Sequence, residues 1–315
     1  MKKNSLNDGI RLIFLMALFI FTFCTNKTKS IAENEDFPSE MVRFIPSPTS
    51  PVFAGTGTGT WDQKIRERGF ILYEDSLYKM WYTGYNPGIA EQKFLGYATS
   101  EDGVNWARYS DKPVFSDKWT EDVFVTKYEN IYYMYAEGDH DIAHMLTSSD
   151  GINWKEQGDL TILTTTGDTI PGPYGTPTVW IGDGKWYLFY ERNDAAIWLA
   201  TSEDHLNWKN VQDEPVLPLG PDEYDKAAVA VNQIVKYRNK YYMYYHATSR
   251  VDWQNPASPV EWSSNVAMST DLIHWVKYLH NPIVEGDHSS PIVVFDGEKP
   301  SLYTMHSEVC RYLPE

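Results

Sequence analysis

The chain has 315 residues, of which 42% are hydrophobic and 15% are aromatic, including 12 Trp and 22 Tyr. Its formal net charge of −16 argues against a nucleic-acid-binding protein, because the phosphates would be repelled. Two Cys residues cannot build a disulfide framework, and the apolar content is too high for a disordered chain.

The N-terminus has the pattern of an export signal. Three basic residues accompany an uncharged apolar run at 12–23, which has the length of a signal peptide and is short for a membrane span. Cys24 and a polar stretch follow, as in a bacterial lipoprotein signal. We expect residues 1–23 to be a signal peptide, Cys24 to carry a lipid and residues 24–40 to form a flexible tether. An ordinary export signal or an uncleaved anchor is the alternative. Both predict an exported protein, in the cell envelope or the periplasm.

Four copies of one short motif divide the rest of the chain into repeats. The copies are TSEDGVNW at 99–106, TSSDGINW at 147–154, TSEDHLNW at 201–208 and MSTDLIHW at 268–275. Ser, Asp and Trp keep the same spacing in each copy. The distance between copies suits a propeller blade better than a helical repeat.

An aromatic segment without helical periodicity precedes each motif, which predicts a β-strand. These segments are LYKMWYTGY at 77–85, IYYMYAEGD at 131–139, KWYLFYERN at 185–193 and KYYMYYHAT at 240–248, with a fifth, SLYTMHSE, at 301–308. Three of the motifs are followed by a Pro and an apolar residue, which is typical of an outer edge strand.

The units predict an all-β, five-bladed β-propeller over residues 41–315, without a second domain. The fifth unit ends at Glu315 before its turn and outer strand. Phe44 and the following Pro-Val pair have the spacing of a motif Trp and its Pro. We therefore expect residues 41–53 to complete the last blade and to close the ring, which removes exposed sheet edges.

The motif acids have a structural interpretation. A catalytic group is not needed in every blade, whereas an Asp at a turn caps backbone N–H groups while the Trp packs between blades. The four acids are Asp102, Asp150, Asp204 and Asp271.

Residues just before the inner strands and just after the aromatic strands should converge at one face of the propeller, and these residues differ between blades. Many of these residues are carboxylates, and Glu121 and Glu137 are two of them. Glycosidic bond cleavage needs two carboxyl groups, one to protonate the leaving oxygen and one to activate water or attack the sugar. The predicted substrate-binding residues are Arg66, Glu67, Arg68, Tyr85, His140, Tyr174, Thr176, Asp225, His246, His288 and His306.

Each candidate also has a simpler interpretation. The segment 66–68 could form ion pairs between blades, and Asp122 could be a solvated turn residue. Glu191 could pair with Arg192, and Asp225 could be a loop acid. The His residues are not spaced for a zinc site, so we predict neither a metal site nor a cofactor, and a structural calcium ion on the propeller axis is left open.

The chain resembles the five-bladed propeller glycosidases of the arabinanase, levansucrase and invertase superfamily, including glycoside hydrolase families 43, 32 and 117. The resemblance covers about residues 41–315 and is best over 61–86, 119–151 and 171–192.

This resemblance implies Asp62 as base or nucleophile, Asp122 as the group that orients substrate or tunes a pKa, and Glu191 as proton donor. The N-D-P-N-G and R-D-P motifs of invertases are absent. Strand alignment also places Glu67, rather than Asp62, level with Asp122.

The preferred prediction is a glycoside hydrolase that cleaves oligosaccharide or polysaccharide fragments in the central funnel. One alternative is a glycoside phosphorylase, as in related mannoside phosphorylases, with Arg66, Arg68 and Arg192 holding phosphate. Another is a non-catalytic carbohydrate-binding propeller at the cell surface. The sugar, the linkage, the stereochemical outcome and the oligomeric state are not predicted.

Overall fold

The computed structural model describes residues 36–255, 257, 259–297 and 299–315. The predicted signal peptide at 1–23 and the predicted lipidation at Cys24 lie outside these residues. Within the described part of the chain, no helix is both long and apolar enough to cross a membrane.

The described chain begins with a short helix and two short strands. These are α1 (Ser39–Val42), β1 (Phe44–Pro46) and β2 (Phe53–Ala54). Both strands pair in antiparallel register with the last strand of the chain, with Phe44 opposite Pro314 and Phe53 opposite Val309. One sheet therefore contains strands from both ends of the described chain.

Five mainly antiparallel sheets follow one another as the blades of a propeller. Blade one contains β3 (Lys64–Ile65), β4 (Phe70–Glu74), β5 (Leu77–Tyr85), β6 (Phe94–Ser100) and β7 (Ala107–Arg108). Blade two contains β8 (Glu121–Tyr128), β9 (Ile131–Glu137), β10 (Ala143–Ser148) and β11 (Lys155–Asp159). The prediction of an all-β, five-bladed propeller is confirmed.

The remaining blades have the same plan. Blade three contains β12 (Thr161–Leu163), β13 (Gly175–Gly182), β14 (Lys185–Glu191), β15 (Ala196–Ser202), β16 (Asn207–Asn210) and β17 (Leu217–Pro218). Blade four contains β18 (Ala228–Tyr237), β19 (Lys240–Thr248), β20 (Ser263–Ser269) and β21 (Trp275–Lys277). Blade five contains β22 (Pro291–Phe295), β23 (Pro300–Met305) and β24 (Glu308–Pro314), joined by β1 and β2. Short 3-10 turns lie at Asp139–Asp141 and Glu223–Asp225.

Aromatic rings from the strands that carry the aromatic segments, such as β5, β9, β19 and β23, fill the space between the sheets. Trp81, Tyr135, Tyr244 and Tyr303 are fully buried. Burying one large apolar side chain contributes about 1.5–3 kcal/mol to folding, so these rings are a principal source of the stability of the ring of blades.

The motif turns are capped as expected, and they also join neighbouring blades. Asp150 accepts hydrogen bonds from the backbone amides of Ile152 at 2.9 Å and Asn153 at 2.8 Å. The carbonyl of Gly151 in the same turn accepts a 2.7 Å hydrogen bond from the indole of Trp81 in blade one. The motif turn of blade two is therefore hydrogen-bonded to blade one, which gives the motif a structural role.

Candidate functional site

The inner strands leave the regular ladder where they reach one face of the propeller. The register of β8 and of β13 shifts at this point, and the residues at the shift, Asp122 and Thr176, have φ values of 52° and 45°. Arg68 and Ser290 occupy the equivalent positions in blades one and five, with φ values of 58° and 57°. Bulges of this kind redirect side chains and are common next to active sites.

A cavity opens at this face, and blades one to four supply its lining. The lining residues are Arg66, Glu67, Asp122, Glu137, Asp141, Pro173, Thr176, Glu191, Asn193, Asp194, His246, Trp253, Gln254 and Trp262. Blades one to three contribute six carboxylic acids, whereas blade four contributes His246 and two indole rings.

Gly175 allows two of these acids to meet. A Cβ on Gly175 would stand 2.3 Å from Glu137 Oε2 and 2.3 Å from Glu191 Oε1, so the two oxygens are at most twice that distance apart. The amide of Gly175 donates to Glu191 Oε1 at 2.9 Å, and the amide of Thr176 donates to Glu137 Oε2 at 3.1 Å. The bulge of β13 thus holds two carboxyl groups side by side.

Asp194 approaches the same pair from the loop after β14. Its backbone amide donates to the second oxygen of Glu191, and its carbonyl accepts a 2.9 Å hydrogen bond from the amide of Val229 in blade four. The loop is therefore fixed against the neighbouring blade, and the carboxyl group of Asp194 faces the cavity.

Burial and mutual repulsion raise the pKa values of several acids in the cavity. Burial raises the pKa of Glu191 to about 7. Burial, reinforced by neighbouring carboxylates, raises the pKa values of Asp122, Glu137 and Asp194 well above their ordinary range. One oxygen of Asp122 is buried without a hydrogen-bond partner among the described residues. This part of the cavity can therefore donate protons at neutral pH.

Glu67 behaves in the opposite way. Burial opposes its ionisation, but a 3.2 Å contact with His306 Nδ1 and a 3.3 Å contact with Arg66 keep its pKa well below the usual range. Asp287 lies 3.8 Å from the other ring nitrogen of His306, whose pKa is raised by these acids despite burial. Glu67 therefore carries a negative charge in the cavity.

Arg68 lies beneath the cavity, among the inner strands. Its guanidinium is fully buried and donates to the carbonyl of Asp122 at 2.7 Å, to that of Pro177 at 3.3 Å and to Thr178 Oγ1 at 2.6 Å. Arg68 thus joins blades one, two and three through their backbones.

The structure brings most of the predicted site residues together. Asp122, Glu191 and the predicted binding residues Arg66, Glu67, Thr176 and His246 all line the cavity. Arg68 lies below it and His306 contacts Glu67 from blade five. Counted back from Phe70, which pairs with Trp81 as Phe124 pairs with Tyr135, Arg68 is level with Asp122. Counted forward from Arg66, whose amide bonds to the carbonyl of Thr83, Glu67 is level with Asp122, because the bulge in blade one contains an extra residue.

Asp62 is not brought to the cavity. Its buried carboxylate contacts Arg108 Nε at 2.7 Å, Tyr82 Oη at 3.1 Å and Thr60 Oγ1 at 3.0 Å. Arg108 belongs to β7, the outermost strand of blade one. The side chain of Asp62 therefore points toward the outer part of the blade and is occupied by a structural ion pair.

Five predicted binding residues also lie outside the lining, because local contacts hold them elsewhere. Asp225 is ion-paired with Lys277 at 2.5 Å, and Tyr174 donates to the carbonyl of Leu160 at 2.9 Å. His140 projects into solvent with 86% of its side chain exposed.

The other two pack against neighbouring side chains. The ring of Tyr85 lies 4.8 Å from Lys93 Nζ, and His288 packs against Tyr312 with ring centroids 6.0 Å apart.

Sequence reasoning did not identify Asp141, Asp194, Trp253 and Trp262 as site residues. Asp141 and Asp194 follow the aromatic strands of blades two and three by three or more positions, so the strand-end rule could have been extended to them. The two Trp residues come from the loop after β19, whose path is set by tertiary contacts and carries no repeat signal.

The described residues, which exclude 1–35 and three loop positions, contain no group of three or more His, Cys, Asp or Glu side chains arranged to hold a metal ion. The guanidinium of Arg68 places a buried positive charge near the propeller axis, below the cavity.

Comparison with known proteins places the chain near sugar-active propellers. No family model matches it. The 1,2-beta-oligomannan phosphorylase of Thermoanaerobacter sp. (strain X514) is 27% identical over 226 residues, which is 66% of this chain and 72% of that protein. The beta-1,2-mannobiose phosphorylase of the same organism is 30% identical over 139 residues, which is 36% of this chain and 45% of that protein.

Solved structures with the same fold cover nearly all of the propeller. A putative glycosidase from Bacteroides thetaiotaomicron has a TM-score of 0.69 and 17% identity, with coverage of 89% of this chain and 99% of that one. Beta-1,2-mannobiose phosphorylase from Listeria innocua has a TM-score of 0.67 and 14% identity, with coverage of 86% and 96%. The predicted resemblance to five-bladed propeller glycosidases is confirmed at the level of the fold.

Proposed function

We propose that the chain is a glycoside hydrolase that cleaves β-mannosidic bonds in oligosaccharides. The observation that carries the proposal is the convergence, in a single cavity, of acids with raised pKa values and a carboxylate with a lowered pKa, Glu67. Hydrolysis of a glycosidic bond needs one group of each kind, a proton donor and a base or nucleophile.

Glu191 is the proposed proton donor and Glu67 the proposed base or nucleophile. The raised pKa of Glu191 keeps its proton available for the leaving oxygen. Arg66 and His306 keep Glu67 negatively charged, so that it can activate water or attack the anomeric carbon. Asp122, held neutral by burial, would donate a hydrogen bond to a sugar hydroxyl. This assignment replaces Asp62 by Glu67.

The relatives supply the sugar class. The two curated relatives named above act, by their names, on β-1,2-linked mannose, and a solved structure with a TM-score of 0.65 belongs to a family of mannoside phosphorylases that contains hydrolases of β-1,2-mannosidic linkages. A β-1,2-linked manno-oligosaccharide is therefore the first substrate to test.

Phosphorolysis is the second candidate, favoured by the names of both curated relatives. The charges in the cavity argue against it. Arg66 is the only cationic side chain of the described lining apart from any protonated His, and it already lies 2.5 Å from Glu121. Arg68 is bound to backbone carbonyls, and Arg192 stacks over Trp198 at 5.1 Å. A phosphate dianion would thus meet few free cations.

A product assay separates these candidates. β-1,2-Mannobiose is incubated with the chain, with and without inorganic phosphate, and the sugars are quantified. Hydrolysis predicts two mannose molecules per disaccharide at a rate independent of phosphate. Formation of mannose 1-phosphate, with turnover that requires phosphate, would overturn the hydrolytic assignment, and binding without any product would favour a non-catalytic propeller. Glu191→Gln is the control for contaminating activity.

The proposed reaction uses side-chain acids alone and takes no cofactor. Dialysis against a chelator should therefore leave turnover unchanged. A loss of turnover that calcium restores would show that a bound ion is needed.

Export and membrane attachment are a separate proposal, based on the apolar run at 12–23 and on Cys24. We expect the mature chain to begin at Cys24 and to carry a lipid there. Mass spectrometry of the native protein tests this, and Cys24→Ala should release the chain from the membrane fraction if the lipid is its anchor.

Ring closure by the N-terminal strands is likewise proposed, from the pairing of β1 and β2 with β24. Removal of residues 39–54 should expose the edge of β24 and lower the thermal unfolding temperature strongly. An unchanged unfolding temperature would mean that the ring does not depend on this pairing.

A further inference from the structure

The wall of the cavity formed by blade four differs in chemistry from the other walls. Blades one to three present acids, whereas the loop after β19 presents the rings of Trp253 and Trp262 beside His246. Both indole rings remain partly exposed, although most large aromatic side chains of the propeller are buried between blades. An aromatic surface facing a set of hydrogen-bonding groups is suited to a ligand with one apolar face and polar edges.

The two indole rings pack against each other, and Trp262 also packs against His246. Their centroids are 5.5 Å apart with an interplanar angle of 73°, and Trp262 packs at 81° against His246 at 5.1 Å. The backbone amide of Trp262 donates to Asp287 at 3.2 Å, and Thr248 Oγ1 donates to the carbonyl of Glu261 at 2.9 Å. These bonds fix the end of the loop that carries Trp262, so that its ring is in place before a ligand arrives.

His246 adds a polar group next to this wall. Burial lowers the pKa of His246 to about 3, so its ring is neutral. Its Nδ1 makes a 3.1 Å hydrogen bond with the side-chain amide of Asn232. The other ring nitrogen, Nε2, can exchange a hydrogen bond with a sugar hydroxyl, because a hydroxyl can act as donor or acceptor.

We propose that Trp253 and Trp262, with His246 at their edge, form a sugar-stacking subsite in which one indole ring stacks on the C–H face of a pyranose ring and the other, at 73° to it, borders the same sugar. The subsite rests on the proposed function for the identity of its ligand, but it contributes to binding rather than to bond cleavage. Trp253 and Trp262 therefore act as specificity-determining residues, while the acids of blades one to three carry the chemistry.

The test compares kinetics and binding in the same variants. Trp253→Ala and Trp262→Ala should each raise KM for β-1,2-mannobiose about tenfold, which corresponds to about 1.4 kcal/mol of lost contact, with kcat within about threefold of the wild type. Trp253→Phe should raise KM less than Trp253→Ala does, because an aromatic ring remains. Trp154→Phe, in a turn of blade two outside the cavity, is the distal control and should behave as the wild type.

Binding to the Glu191→Gln background separates this inference from the proposed function. The dissociation constant for β-1,2-mannobiose, measured by calorimetry, should rise about tenfold when Trp253→Ala or Trp262→Ala is added. Unchanged KM and dissociation constants in both Ala variants would overturn the subsite and leave hydrolysis standing. Trp-dependent binding in a wild-type chain that makes no product would support the subsite and overturn the hydrolase. Absence of any mannobiose binding would overturn the subsite.

Discussion

At the scale of single residues, Gly175 determines how closely Glu137 and Glu191 approach. The equivalent position in blade two is Glu121, which pairs with Glu137 in the ladder as Gly175 pairs with Glu191. Only in blade three does the absence of a side chain leave room for carboxyl groups from two blades. Burial raises the pKa values of both acids, and the charge of Glu191 adds to the rise at Glu137, whereas the hydrogen bond from the Gly175 amide lowers the pKa of Glu191. Gly175 thus sets the position of the two acids.

Replacing Gly175 tests this arrangement. The Cβ of Gly175→Ala would clash with both carboxylates, and we expect kcat to fall about 10²–10⁴-fold because the donor would be displaced. Gly59→Ala is the control, since a Cβ there would meet nothing within 4 Å. Steady-state kinetics, with circular dichroism to confirm folding, provide the measurement. Wild-type turnover by folded Gly175→Ala would show that the pairing of the two acids is not needed.

The ionisation of Glu67 and Glu191 predicts a bell-shaped dependence of kcat/KM on pH. Activity should fall above about pH 7, as the proton donor Glu191 loses its proton. The acid limb belongs to Glu67, which Arg66 and His306 hold in the ionised form. Because the lowered pKa of Glu67 depends on His306, His306→Gln should raise that pKa and move the acid limb to higher pH.

The pH profile of His306→Gln is compared with that of His140→Gln, which alters an exposed His outside the cavity. Only the first variant should show the shift, and its basic limb should stay in place. An acid limb that does not move in His306→Gln would remove His306 from its role of positioning and charging Glu67.

At the scale of elements, the same turn motif recurs in four blades and stabilises the fold. Each motif Asp caps two backbone amides, and its turn accepts a side-chain hydrogen bond from another blade in the cases of Gly103 and Gly151. The inner strands recur in the same way, but their bulged residues differ: Arg68, Asp122 and Thr176. The repeat thus supplies the scaffold, and the variation within it supplies the site.

A variant of the motif tests this division. Asp150→Ala removes the acceptor of two amides and should lower the thermal unfolding temperature by about 2 °C without changing kcat. Asp150→Asn keeps one acceptor oxygen, so its thermal unfolding temperature should fall by less than that of Asp150→Ala. A large loss of kcat in Asp150→Ala at a temperature where it remains folded would give the motif a part in catalysis.

At the scale of the whole molecule, the fold was predictable because each blade carries its own local signal. The alternating aromatic segments and the Ser-Asp-Trp turns need no long-range information. Site residues at strand ends, such as Glu191 and His246, were predictable for the same reason. Asp62 and Glu67 could not be ranked, because tertiary contacts decide their directions: Asp62 is held by Arg108 and Tyr82, and Glu67 lies in the bulge between β3 and β4. Trp253 could not be found, since tertiary contacts set the path of its loop.

The gathering of acids from separate blades at one mouth is the property on which the account of function depends. Glu67 comes from blade one, Glu137 from blade two and Glu191 from blade three, so no single blade contains the proposed chemistry. Asp62 in blade one, by contrast, is held by Arg108 of the same blade.

The most direct test is the turnover of β-1,2-mannobiose by three folded variants: Glu67→Gln, Glu191→Gln and Asp62→Asn. Each removes a single carboxylate, and circular dichroism with thermal unfolding confirms that each variant is folded at the assay temperature. The account predicts that Glu67→Gln and Glu191→Gln lose about 10²–10⁴-fold in kcat, whereas Asp62→Asn stays within tenfold of the wild type. Near-wild-type kcat in Glu67→Gln or Glu191→Gln, together with loss of turnover in Asp62→Asn, would contradict it.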